Sequence, residues 1–113
     1  MNGDLYLGIW ENKGGITATI TRSEDGSFRV RLQAAAFWRN LLIPSLKGEV
    51  FQFGDQGELR SKAAEIYFDF IEPFEPGYEL RICGEMGSQW DGWEDVWGPL
   101  WIRDWGGNCF RRR

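Results

Sequence analysis

The sequence contains no histidine, and this absence removes several classes of chemistry. Without imidazole the chain cannot use histidine as a general base, as a metal ligand or as the proximal ligand of a haem. It has two cysteines, Cys83 and Cys109, far from the C-x-x-C spacing of metal and redox motifs. Thiol catalysis also lacks its usual basic partner. The sequence therefore predicts no metal, no cofactor and no catalytic thiol.

Long apolar runs and an excess of basic residues are also missing. No stretch approaches the length of a membrane span, and the first residues show no signal peptide, so we expect a cytoplasmic protein that does not enter a membrane. The two cysteines are then expected to be reduced core residues, or one disulfide if the protein is exported. The net charge is −4, which disfavours binding to nucleic acid. The one basic run, residues 111–113, is interpreted as a solvated terminal tail.

What the chain does have is a large supply of aromatic residues. Of its 113 residues, 42% are hydrophobic and seven are tryptophan, so the chain has enough apolar surface to build one core. A chain of this length is too short to build two cores. We therefore expect a single domain over residues 1–113.

Alternation of apolar and polar residues predicts strands along most of the chain. Residues 16–21 and 28–33 alternate on either side of a turn at 23–26, which indicates a hairpin with one wet face. Residues 5–12 are predicted to form an earlier strand. A second hairpin is predicted from 50–53, through a turn at 54–57, with a long return to Phe70.

The remaining segments complete an all-β prediction. Residues 78–83 alternate as another strand, and the C-terminal stretch is interpreted as a loop followed by a strand. Residues 33–46 fit either a short helix, around residues 34–43, or a loop that ends at Pro44. Several short strands joined by glycine-rich turns favour an antiparallel barrel or sandwich, and we expect the mostly antiparallel β-barrel, because closure also removes exposed strand edges.

The first predicted strand carries the motif Gly8-Ile9-Trp10. This G-x-W pattern resembles the first strand of calycin barrels, the group that includes lipocalins and avidins, and the extension to Asn12 and Gly15 is similar to the opening of avidin-type barrels. The resemblance covers the N-terminal third of the chain. It implies a calycin-like barrel, and it implies for Asn12 the position at which avidins hydrogen-bond the ureido group of biotin.

The same resemblance implies a structural role for Trp10. In calycins this tryptophan plugs one end of the barrel and an arginine from the last strand lies across it, which is a cation–π arrangement. Arg103 or Arg111 is expected to supply that arginine here.

The final stretch of the chain is rich in tryptophans and carboxylates. The tryptophans are Trp90, Trp93, Trp97, Trp101 and Trp105, and the carboxylates are Asp91, Glu94, Asp95 and Asp104. One interpretation is an exposed platform that stacks on sugar rings or anchors a protein partner. The other is a core or a barrel plug. In a strand, Leu100 and Ile102 face one way while Trp101 and Trp105 face the other, so a lid, a ligand or a second subunit must cover one face.

These observations favour a non-enzymatic binding protein. The leading hypothesis is a small β-barrel that binds a small-molecule or carbohydrate-like ligand near its mouth. Its ligand-binding residues are predicted to be Asn12, Trp90, Trp93, Trp97, Trp101, Asp91 and Asp95, with Trp10 and Arg103 structural. The alternative is an inhibitor or immunity-type protein that docks an acidic, aromatic patch on a protein partner. The uncovered aromatic face is also compatible with a homo-oligomer. Carboxylate catalysis and a Ca²⁺ loop at residues 91–95 are weaker alternatives.

Overall fold

A computed structural model describes residues 3–40, 50–73, 75–85 and 106–113. This part of the chain is built from eight strands, one short 3₁₀ helix at Gly3–Tyr6 and one turn of α-helix, α1, at Phe37–Asn40. The strands are β1 (Gly8–Glu11), β2 (Ile16–Arg22), β3 (Phe28–Ala34), β4 (Gln52–Phe53), β5 (Leu59–Ser61), β6 (Ile66–Phe70), β7 (Leu80–Gly84) and β8 (Cys109–Arg112).

The strands form one antiparallel sheet that curls into a nearly closed barrel. Their order is β3-β2-β1-β8-β7-β6-β5-β4, so every strand but β3 pairs with its successor in sequence and the first strand pairs with the last. The two edge strands meet at a single bridge, where the backbones of Phe28 and Phe51 exchange hydrogen bonds of 2.9 and 3.0 Å. The prediction of a mostly antiparallel β-barrel is confirmed. Such closure leaves few strand edges exposed for unwanted pairing.

The hairpin predicted around residues 23–26 is formed as expected. Its two strands, β2 and β3, pair from Ile16 with Ala34 to Arg22 with Phe28. Alternate residues point into the barrel, which gives β2 its regular alternation of buried and more exposed positions. The apolar alternation therefore determines both the register and the face of this hairpin.

Two predicted strands have different limits in the structure. The chain from Gly3 to Tyr6 is a 3₁₀ helix, so the predicted strand over residues 5–12 begins only at Gly8. The predicted long return to Phe70 is two strands, β5 and β6, separated by a turn over residues 62–65. That turn uses Glu65 at a φ of 59° instead of a glycine or proline, which is why no turn signal marks it.

Residues 33–46, which were predicted to form a short helix or a loop, contain α1, a single helical turn at Phe37–Asn40. Residues 41–49 lie outside the described part of the chain.

The C-terminal arginines differ from the prediction more clearly. Arg111 and Arg112 belong to β8, the strand that closes the barrel against β1 and β7, and are not a solvated tail. Pairing with two neighbouring strands orders a segment whose composition alone suggests an unstructured end.

The interior of the barrel is filled by side chains from every strand. Its largest fully buried members are aromatic, led by Trp10, Tyr6, Phe51, Phe68 and Phe110. An eight-stranded barrel is just wide enough to be filled in this way or to hold one small ligand. The aromatic residues therefore supply the volume that a chain of this length needs for a stable core.

The two cysteines belong to the outward-facing side of the sheet, where Cys83 is nevertheless fully buried and Cys109 is partly exposed. Both Cys83 and Cys109 are free thiols. Cys109 pairs with Arg81, two residues before Cys83 on the same face of β7. The thiols are thus diagonal neighbours across two strands, and diagonal Cα atoms lie about 7–8 Å apart, beyond the usual span of a disulfide.

Candidate functional site

The antiparallel order defines two ends of the barrel. The Trp10 end is where β2, β4, β6 and β8 finish, beside the 3₁₀ helix. The Asn12 end is where β1, β3, β5 and β7 finish, beside the turn that joins β1 to β2. Ligand sites in β-barrels form at their mouths, so the difference between these ends decides where a ligand can enter.

The Trp10 end is closed by an aromatic cluster. The ring of Tyr6 stacks on Phe70 with centroids 4.6 Å apart, and Trp10 lies 5.8 Å from the same phenyl ring. The indole Nε1 of Trp10 donates to the carbonyl of Tyr6 at 2.9 Å. The hydroxyl of Tyr6 donates to the carbonyl of Gly57 at 2.7 Å. These bonds tie the 3₁₀ helix to the strands across this end.

Burial has a measurable consequence for Tyr6. Desolvation, helped by the nearby carboxylates of Asp69 and Glu58, raises the pKa of the Tyr6 phenol to about 12. The phenol therefore stays neutral at any ordinary pH and serves as a hydrogen-bond donor in this closed end.

An arginine from the last strand lies over the Trp10 ring at this end of the barrel. The Arg112 guanidinium lies 4.2 Å from the centre of the Trp10 ring and donates to the carbonyls of Leu5 and Leu7 at 2.7 and 2.6 Å. Gly8 makes this approach feasible, because a Cβ there would stand 2.8 Å from a nitrogen of Arg112. The guanidinium thus joins the indole to the 3₁₀ helix.

The arginine on Trp10 is therefore neither of the two that we expected. Arg111 is on the opposite face of β8, where it pairs with Glu11 at 3.3 Å, and Arg103 lies outside the described residues. Side chains alternate along a strand, and Arg112 is the residue that pairs directly with Trp10 on β1. The register of β8, which the sequence does not reveal, selects the arginine.

Asn12 is a buried residue whose amide is used by the backbone. Asn12 is only 4% exposed to solvent. The Oδ1 atom accepts from the amides of Gly14 and Ile16, both at 2.9 Å, and Nδ2 donates to the carbonyl of Gly107 at 2.9 Å. Asn12 therefore holds the β1–β2 turn against the chain that enters β8. The Oδ1 atom has both of its acceptor positions occupied, so a ligand that bonds to this oxygen would have to displace one of the two amides.

Gly106 packs directly against the same turn. It has a φ of +106°, and a Cβ there would stand 2.1 Å from the amide nitrogen of Gly14. Only glycine satisfies both the backbone angle and the space. The described start of the final segment, Gly106–Gly107, is consequently anchored beside Asn12 at this end of the barrel.

Most residues of the predicted site fall outside the described residues. These are Trp90, Trp93, Trp97, Trp101, Asp91 and Asp95. The strand order nevertheless constrains where their segment attaches. It leaves β7 after Gly84 and returns before β8 at Gly106, both at the Asn12 end.

Small and large residues alternate around the Asn12 end of the barrel interior. Ala34, Ser61 and Gly84 take the last inward positions of β3, β5 and β7. Their register partners on the neighbouring strands are isoleucines: Ile16 lies beside Ala34, and Ile66 lies between Ser61 and Gly84. Both isoleucines are fully buried, so the interior at this end includes aliphatic side chains as well as small residues.

Two exposed aromatic residues follow β3 at the same end. Phe37 and Trp38 of α1 are 78% and 56% exposed. From the sequence, residues 33–46 fit a short helix or a loop, and the exposure of these two side chains was not predicted. A helix of one turn is too short to show the periodicity that distinguishes a buried face from an exposed one.

The described surface also carries three hollows. Two clefts, of about 650 and 520 Å³, flank β4 and share Gln52 and Phe53 in their walls. A smaller and more apolar cavity of about 220 Å³ lies on the outer wall over the start of β8, beside Lys13 and Cys109. Desolvation raises the pKa of the Cys109 thiol above its usual value.

Within the described ranges, no group of three or more Asp, Glu or Cys side chains is arranged to hold a metal ion. In the same ranges no helix has the length and apolar character to cross a bilayer. No protein-family model, curated protein or solved structure matches the chain. Function is therefore inferred from the geometry of the barrel and the chemistry of its residues.

Proposed function

We propose that the chain is a non-enzymatic binding protein that takes a small-molecule or carbohydrate-like ligand at the Asn12 end of its barrel. The observation that carries this proposal is the difference between the two ends. The Trp10 end is closed by stacked aromatic rings and hydrogen bonds, whereas the interior at the Asn12 end combines small residues with isoleucines. In this proposal a ligand enters by the Asn12 end, where the segment between β7 and β8 attaches.

The tryptophans supply the recognition chemistry in this proposal. Their segment joins strands β7 and β8, whose connection belongs to the Asn12 end. Indole rings stack on the apolar faces of sugars and other rings, and the carboxylates of Asp91 and Asp95 accept hydrogen bonds from ligand hydroxyls. Asn12 enters the proposal as the residue that positions the neighbouring turn, since its amide already serves the backbone.

The proposal includes a distant relation to calycin barrels. Three features support it: the meandering eight-stranded barrel, the G-x-W motif on β1, and the arginine of the last strand that lies over Trp10. Biotin is a poor candidate, because Asn12 is only 4% exposed and its Oδ1 atom already accepts from two backbone amides. The two free thiols support a reducing compartment such as the cytoplasm.

The test is a titration of the protein with a panel of sugars, biotin and fatty acids. Tryptophan fluorescence and thermal melting are followed in parallel, because a ligand that binds the folded state raises the melting temperature. We expect a sugar or another small polar ligand to give a saturable shift. The variant Trp97→Ala/Trp101→Ala should fold with little change in melting temperature and lose the response, while the control Trp38→Ala should keep it.

Two outcomes would contradict the proposal. A large fall in melting temperature for the double variant would mean that these tryptophans belong to the core. The absence of any response across the panel would favour the alternative, an inhibitor that binds a protein partner.

One observation favours that alternative directly. Phe37 and Trp38 are exposed at the same end, and aromatic residues are enriched where proteins bind each other. On this second hypothesis, Phe37→Ser/Trp38→Ser should abolish the interaction with the partner and leave the melting temperature within a few degrees of the parent protein. The first hypothesis predicts no effect of this change on ligand binding.

A further inference from the structure

The small cavity over the start of β8 is separate from the end of the barrel. It has a volume of about 220 Å³, and its walls include Ile71, Tyr78, Cys109 and the backbone of Gly106–Gly107. Lys13 and Glu75 stand at its rim. We propose that this cavity binds a small planar aromatic acid, with the ring in the cavity and the carboxylate on Lys13.

The size and the walls of the cavity favour a single ring. An apolar cavity of about 150 Å³ can hold benzene, whereas drug-sized ligands occupy about 300 Å³ or more. Ile71 offers an aliphatic contact, Tyr78 an aromatic one and Cys109 a polarizable sulfur. Gly106 and Gly107 add no side chains that would fill the space.

The charges around the cavity favour an anionic head group. Lys13 contacts Glu75, but both side chains are about half exposed, at 51% and 52%, and such an ion pair stabilises a protein little. A ligand carboxylate can therefore replace Glu75, whose own carboxylate then returns to water.

The Tyr78 ring adds to the preference for an anion. Lys13 and Arg111 each lie 5.6 Å from its centre. The ring is thus already engaged by two cations, which disfavours a third from a ligand. Both cations are paired with carboxylates, Lys13 with Glu75 and Arg111 with Glu11, so an anionic head group would take the place of Glu75 on Lys13.

Cys109 provides a direct report of occupancy. It is partly buried and lines the cavity, while Cys83 is fully buried and serves as an internal reference. The probes are benzoate, benzyl alcohol and benzylamine, which share a ring and differ in charge. Alkylation by iodoacetamide is followed for each cysteine by mass spectrometry, at mildly alkaline pH because burial raises the pKa of the Cys109 thiol.

We expect saturating benzoate to slow alkylation of Cys109 at least threefold and to leave Cys83 unchanged. Lys13→Gln should weaken the benzoate effect at least fivefold in concentration, and the control Lys62→Gln should not. Benzylamine should give no protection. An unchanged Cys109 rate at the highest soluble benzoate concentration would overturn the proposal, and so would equal protection by benzylamine or in Lys13→Gln.

This inference is independent of the binding function proposed for the barrel end. Trp97→Ala/Trp101→Ala should leave the protection of Cys109 intact. A failure of the sugar titration and a failure of the benzoate protection would thus be distinguished by different residues and different signals.

Discussion

Replacing Arg112 with alanine should lower the free energy of unfolding of this barrel by about 2–3 kcal/mol. Its guanidinium donates to the carbonyls of Leu5 and Leu7 at 2.7 and 2.6 Å and lies 4.2 Å from the Trp10 ring. Hydrogen bonds to charged groups contribute about 1.5–3 kcal/mol each, and an exposed cation–π contact about 0.5–1 kcal/mol. Because Arg112 is exposed, water replaces much of what the carbonyls lose, and the expected total falls below the sum of the lower figures, at about 2–3 kcal/mol.

Arg111 is a matched control for this measurement. It is the adjacent residue on β8, but its side chain is 53% exposed and pairs with Glu11 at 3.3 Å. Exposed pairs of this kind contribute about 0–1 kcal/mol. We therefore expect Arg111→Ala to lose less than about 1 kcal/mol, and to lose less still at high salt.

The assay is urea denaturation of both variants and of the parent protein, followed by circular dichroism. A loss of about 2–3 kcal/mol corresponds to roughly 10 °C in melting temperature for a domain near this size. A double-mutant cycle with Trp10→Phe should show that the two residues are coupled by at least about 0.5 kcal/mol. Equal losses for the two arginine variants, or strictly additive effects in the cycle, would refute the closure of this end by Arg112.

Three further predictions concern other parts of the barrel. Asn12→Ala should destabilise the fold by about 2–4 kcal/mol in urea denaturation, because three hydrogen bonds are lost and buried backbone groups are left without partners; a loss under 1 kcal/mol would contradict a structural role. Gly106→Ala should lower the melting temperature more than Gly26→Ala, since both have positive φ but only Gly106 would place its Cβ against the backbone of Gly14; equal losses would be contrary to this packing. The pKa of Tyr6 is raised to about 12 in the folded state, against about 10 when unfolded. Its contribution to the free energy of unfolding is therefore complete below pH 10 and falls by up to about 3 kcal/mol as the pH rises to 12. The difference between the parent and Tyr6→Phe should shrink over that interval, and a constant difference would be inconsistent with the raised pKa.

Local patterns in the sequence predicted much of the sheet. The hairpin of β2 and β3 follows from alternation around a turn of polar residues and glycine. The turn at residues 62–65 had no such signal, because its left-handed position is taken by Glu65. The start of β1 was also misplaced, since nothing in the residues before Gly8 distinguishes a 3₁₀ helix from an extended strand.

In the candidate site, too, local patterns predicted some features and long-range contacts decided others. Asn12 was predicted to bind the ligand, and its ligand role stays a prediction; in the structure its amide holds the neighbouring turn through Gly14 and Ile16 and also bonds to Gly107, at the far end of the sequence. The arginine over Trp10 was expected from the last strand and belongs there, yet its identity depends on a shift of one residue in the register of β8.

By itself, the sequence determined an all-β chain, the inner faces of its main hairpin, and the absence of any histidine chemistry. These properties are local, because periodicity and residue type act over a few neighbouring positions. Only the tertiary structure decided which ends of the barrel are filled, that Arg112 covers Trp10, and that the Asn12 amide serves the backbone. The Arg112 contacts and the bond from Asn12 to Gly107 join residues 95 to 107 positions apart, and they form only when the last strand closes the barrel against the first.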